Sequence, residues 1–136
     1  MGRAELDREQ LRSRLARDLD ARPEILLALL HGSFAHGRAF RDIDVAVWLD
    51  PARLSKDERF RFALDLAVQL RLTLGHAVDV RGLNDAPLGF RYHALAGSLL
   101  VVRDEGFLDE LRARTWDEYL DFQPFARRYL REALSE

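Results

Sequence analysis

Apolar and polar positions alternate along this chain with periods that change from helical to strand-like and back. Between Ala4 and about Ala21, Leu11, Leu15 and Leu19 recur every four residues while Arg, Asp and Glu fill the other faces, which predicts an amphipathic helix. Pro23 stops it. The run from Glu24 to His31 is almost wholly apolar and ends at Gly32. Its shortness and the glycine stop favour a buried strand, although periodicity alone does not separate strand from helix. From Arg41 to Leu49 the period is two: Ile43, Val45 and Val47 share one face, and Asp42, Asp44 and Ala46 share the other. Ser55 followed by Glu58 is a capping-box pattern. It opens a helix through Phe60, Ala63, Leu64, Ala67, Leu70, Arg71 and Leu74 that ends at Gly75. His76 to Gly82 predicts a third strand with Asp79 between two valines. A helix then starts near Asp85 and Pro87 and stops at Gly97, and Ser98 to Arg103 is a fourth strand. From Asp104 the pattern is helical to near the end, with a break expected at Pro124.

This order predicts an α/β (α+β) domain: a small mixed β-sheet flanked by helices, with a helical C-terminal segment. No linker, repeat or low-complexity stretch divides it, so residues 1–136 are expected to form a single domain. The formal charge of −2, from 21 basic and 23 acidic residues, argues against a protein that coats nucleic acid. The absence of cysteine excludes disulfides, thiolate metal sites and a Cys nucleophile. No apolar run approaches the roughly 20 residues of a membrane span, and no signal core opens the chain, so a cytoplasmic location is expected.

The charge inside the second strand changes the picture. A buried, unpaired carboxylate costs several kcal/mol, yet Asp42 and Asp44 sit among Ile43, Val45, Ala46, Val47 and Trp48. Two residues apart, they project from one strand face about 6.5–7 Å from each other along the backbone. Carboxylates in that arrangement suit magnesium, which takes a few carboxylates together with phosphate oxygens and water. Asp79 repeats the pattern on another strand and is a candidate third ligand, or else a strand-end partner of Arg81 or Arg91. Before these, Gly32 lets main-chain amides approach an anion closely. Ser33 is placed to cap a short helix whose first amides can hold phosphate.

Gly32-Ser33, a spacer, Asp42-Ile43-Asp44 on a strand and then Asp79 on a later one resemble the nucleotidyltransferase superfamily related to polymerase beta. The closer resemblance is to its minimal members, the MNT antitoxins of HEPN–MNT toxin–antitoxin pairs. It extends through Val78-Asp79-Val80, the segment from Leu83 to Leu88, and Glu118-Tyr119-Leu120-Asp121-Phe122. The chain departs from the family in its shorter spacer, eight residues from Phe34 to Arg41, and in having His36 where arginine is usual. The resemblance implies a nucleotidyltransferase fold, ATP as substrate, and two magnesium ions held by Asp42, Asp44 and Asp79. Gly32 and Ser33 would then bind the nucleotide. It also implies transfer of AMP to a tyrosine hydroxyl of a cognate HEPN ribonuclease toxin, which the transfer silences. Two alternatives stand beside it: an antitoxin that neutralises by binding alone, and a transferase for a small acceptor such as an aminoglycoside.

Other residues offer less. His31, His36, His76 and His93 have no metal spacing and read as core or surface histidines. Ser33 with His36 makes no nucleophile elbow. The arginines from Arg3 to Arg17 are interleaved with acids and read as a solvated face. Tyr119, Phe122, Phe125 and Tyr129 read first as packing for the last helix and second as a docking surface.

Overall fold

The computed structural model describes residues 3–35, 37 and 42–134. Five helices and four strands follow in the order α1 (Arg3–Asp20), β1 (Ile25–His31), α2 (Gly32–Ala35), β2 (Asp42–Leu49), α3 (Lys56–Leu74), β3 (Ala77–Gly82), α4 (Leu88–Leu95), β4 (Ser98–Val102) and α5 (Glu105–Leu134). The strands form one mixed sheet in the order β3-β2-β1-β4. β1 is antiparallel to both β2 and β4, and β2 is parallel to β3, with α3 as the crossover. The mixed sheet covered by helices is the expected architecture.

Each strand alternates, and the two faces form two separate cores. On one, Ala28, Leu30, Ile43, Val45, Val47, Val78 and Val80 meet Leu11, Leu15 and Leu19 of α1 and Ala63, Leu66 and Leu70 of α3. On the other, Leu27, Leu29 and Ala46 meet Ala94 and Leu95 of α4 and Leu108 and Leu111 of α5. The apolar run of β1 reads as continuous because helices cover both of its faces. Ser55 and Glu58 form the expected capping box, and Gly75 closes α3 in the left-handed conformation at φ 71°. Asn84 clamps the loop after β3 onto the end of β2, with Leu49 N–H donating to its Oδ1 at 2.9 Å and its Nδ2 donating to Leu49 O at 2.8 Å.

Three sequence expectations need correction. Helix α5 runs through Pro124 without a break. Proline lacks the N–H that would bond the Leu120 carbonyl, but Leu120 is exposed, so water can take that carbonyl's bond. The arginines of α1 are not merely solvated. Arg8 donates to Phe34 O at 3.0 Å and lies over the Phe34 ring, and Arg12 donates to Leu99 O. Of the aromatics near the C-terminus, Tyr119 packs as expected, stacked on Tyr92 at 3.9 Å between ring centroids. Phe122 is exposed instead. The side chains of Phe125 and Tyr129, the residues His36 and Arg41, and the Ser33 hydroxyl lie outside what the structure describes.

Candidate functional site

The site lies where β1 ends and β2 begins, on the α4 side of the sheet. Asp42 and Asp44 project from that face of β2, as their spacing predicts, opposite to the buried Ile43 and Val45. The parallel pairing of β2 with β3 sets Asp79 directly beside Asp44 in register. The antiparallel pairing of β1 sets His31 beside Asp44 on the other flank. His31, Asp44 and Asp79 therefore form a row across three adjacent strands, with strand neighbours about 4.8 Å apart. Asp42 stands one pleat along from the centre of that row. The sequence proposed the three carboxylates, and the fold brings them to one face.

The charges interact as this geometry requires. Burial pushes the Asp44 carboxyl above its ordinary range. His31 opposes the rise, Asp79 and Asp42 add to it, and Arg81 opposes it. Burial also pulls the His31 imidazole down, against Asp44 and Asp79 and with Arg81, which favours the neutral ring. His31 meets Phe90 of α4 edge-on at 5.3 Å, and its Nε2 is buried with no hydrogen-bond partner among the described residues. Arg81 lies over the Phe90 ring, its guanidinium carbon 4.5 Å from the centroid. Arg91, which the sequence offered as a partner for Asp79, faces Glu118 instead.

Gly32 follows the row without a break and has φ +76°. A Cβ built there would collide with the Asp44 Oδ2, so only glycine leaves that carboxylate its place. Helix α2, which begins at Gly32, is anchored from behind by the Arg8 contacts to Phe34. The role of Arg8 was not legible in the sequence, because a charge on an amphipathic helix reads as solvated until its neighbour is known.

Do these residues suit magnesium? The donors are hard carboxylate oxygens, and Asp44 carries an ionisation cost that a cation would relieve. The missing Cβ of Gly32 leaves room against the Oδ2 of Asp44. Among the described residues no three acidic or imidazole groups form a ready-made metal cluster. Magnesium does not need one, since it is commonly held by one or two carboxylates with substrate phosphates completing its shell. The donor set therefore fits.

A small mixed sheet that gathers carboxylates from two parallel strands beside a glycine turn defines a protein of the nucleotidyltransferase class. The family model for polymerase beta nucleotidyltransferases matches residues 13–106, and the chain belongs to that family. No curated protein sequence matches it. Solved structures do. A chain from the complex of tri-AMPylated Shewanella oneidensis HEPN toxin with MNT antitoxin is 21% identical with a TM-score of 0.70, covering 93% of this chain and 98% of that one. A toxin–antitoxin structure with AMP-PNP is 24% identical with a TM-score of 0.69 and the same coverage. A MntA–HepT toxin–antitoxin structure is 20% identical with a TM-score of 0.66, covering 96% of this chain and 98% of that one. At these identities the likeness is one of fold. No helix among the described residues is long and apolar enough to cross a membrane.

Proposed function

We propose that this chain is an antitoxin that transfers the adenylyl group of ATP to a tyrosine hydroxyl of a cognate HEPN toxin and thereby silences it. The observation that carries the proposal is the in-register pairing of Asp44 with Asp79, with Asp42 on the same face. Two solved structures of similar fold support the choice of acceptor, since one holds a tri-AMPylated HEPN toxin and the other contains AMP-PNP.

The chemistry is a displacement at the α-phosphorus. A bond forms from the tyrosine oxygen to that phosphorus, the bond to the bridging oxygen of the β-phosphate breaks, and pyrophosphate leaves with the bond electrons. Asp42, Asp44 and Asp79 would hold magnesium, which when bound neutralises triphosphate charge and acidifies the acceptor hydroxyl. The main-chain amides at Gly32 and Ser33 would receive the distal phosphates at the start of α2. Asp79, at the outer end of the row, would take the phenolic proton or orient the hydroxyl. The uncharged His31 would leave the row's negative charge available to the cation.

Asp79→Asn tests the proposal, with the cognate HEPN toxin as acceptor. The variant should still bind the toxin but fail to protect cells. The toxin's intact mass should lack the increment of about 329 Da that each AMP adds, a figure set by adenylyl transfer. Full protection by the variant, with the toxin unmodified by either protein, would establish neutralisation by occlusion instead.

A further inference from the structure

Strand β3 is an edge of the sheet, and its outer side opens into a cleft of about 360 Å³ between α3 and the loop before α4. The hydrogen bond from Leu83 N–H to Val47 O, 2.8 Å, fixes which main-chain groups face β2. In a parallel pair these alternate, so residues 79, 81 and 83 face β2 while Val78, Val80 and Gly82 face outward. Arg71 Nε caps the Val78 carbonyl at 3.1 Å. Val80 and Gly82 line the cleft, and among the described residues no hydrogen bond takes up their outward N–H or C=O groups. Natural edge strands are normally blunted or covered. Here the uncovered stretch lies immediately beside Asp79.

We propose that this edge receives the acceptor: an extended segment of the partner protein adds to β3 as a short fifth strand and so delivers its tyrosine to the carboxylates. The proposal rests on the adenylyl-transfer reading above and specifies how the acceptor arrives. Its geometry follows from the row already described. Side chains directly opposite one another on neighbouring strands point to the same face. The residue paired with Asp79 on an added strand would therefore extend the row His31, Asp44, Asp79 by one position. A tyrosine there is long enough to lean back over Asp79. Its two neighbours on the added strand would point to the opposite face, where α3 presents Phe60, 68% exposed, and Leu64, 54% exposed, on the cleft wall.

The expected acceptor is thus a tyrosine flanked on both sides by apolar residues in an extended segment. Exposed Val68 and Leu72 continue the apolar stripe along α3 and offer a seat for the body of the same partner. Main-chain pairing would supply affinity and the alternating side chains the choice of residue, as in other strand-addition complexes.

Gly82→Pro tests this directly. Proline deletes an N–H that β2 does not use and fills the edge with its ring. A side chain at Gly82 meets open space, so Gly82→Ala is the matched control. Phe60→Asp is an independent second variant at an exposed position. Each is incubated with the cognate HEPN toxin, magnesium and ATP labelled at the α-phosphate. Labelling of the toxin, ATP affinity by calorimetry and mass by ultracentrifugation are followed together.

Gly82→Pro and Phe60→Asp should slow labelling about three- to tenfold, the equivalent of one lost main-chain bond or contact, with ATP affinity kept. Gly82→Ala should label normally. Unchanged labelling in both variants overturns the docking proposal and leaves adenylyl transfer standing. A parallel loss of ATP affinity also overturns it, by assigning the cleft to the nucleotide. So does a dimer that Phe60→Asp splits without slowing labelling, since the occupant is then a second copy of this chain. If the wild-type protein labels no toxin at all, adenylyl transfer itself fails, and docking fails with it.

Discussion

Asp44 and Asp79 are register partners across the only parallel strand pair of the sheet described here. Thirty-five residues apart in the sequence, they face the same side because parallel pairing aligns their pleats. Two carboxylates held side by side repel each other unless a cation lies between or near them.

This repulsion should appear as stability in metal-free protein. Burial and the neighbouring carboxylates raise the Asp44 pKa above its ordinary 3.8, so the folded state holds its proton longer than the unfolded chain. Stability from this group is therefore complete below the ordinary value and is lost as pH rises through the folded value. Asp44→Asn should be more stable than wild type in EDTA at about pH 7, with the gap closing toward about pH 4, near the ordinary carboxylate range. Urea midpoints across that interval check it, and a gap that widens on acidification would contradict it.

The paired change Asp42→Asn with Asp44→Asn should abolish magnesium-dependent ATP binding while leaving the fold intact. Calorimetry with and without magnesium is the measurement. Equal ATP affinity in the variant and wild type, with magnesium present, would remove these residues from the nucleotide site.

Gly32→Ala should be costly for its size. The φ of +76° is unfavourable for alanine by about 1–2 kcal/mol, and the added methyl collides with Asp44. Both stability and ATP affinity should fall. A variant that melts and binds like wild type would show that the turn relaxes without disturbing the carboxylate.

His31→Phe keeps a ring against Phe90 and removes a buried nitrogen that has no hydrogen-bond partner among the described residues. Stability at neutral pH should be equal or higher, by up to about 1 kcal/mol. Burial holds the His31 pKa below its ordinary 6.5, so wild type loses stability as pH falls through that region and the variant does not. Denaturation at several pH values should show the advantage of the variant growing on mild acidification.

Ser55→Ala removes the cap of α3 and should cost about 1 kcal/mol. Thermal unfolding measures it. ATP affinity should not change, since this cap touches none of the carboxylates.

The sequence by itself determined the elements and the candidate chemistry. Period-two alternation placed Asp42 and Asp44 opposite Ile43 and Val45, and the capping box and Gly75 bounded α3. These features are local: they depend on residues two to four apart, and the backbone geometry converts such spacing into a face or an end. The break expected at Pro124 failed because a local rule met an exposed helix surface where water can take the freed carbonyl's bond. What only the tertiary structure decided was register and edge. Nothing in the spacing of His31, Asp44 and Asp79 says that they are neighbours. A shift of one residue in either strand pairing would have sent the paired side chain to the opposite face. Nor could the sequence show that Arg8 reaches Phe34, or that β3 has no outer neighbour among the described residues. Those facts follow from the order in which four strands hydrogen-bond, which packing of the two cores fixes and no short pattern records.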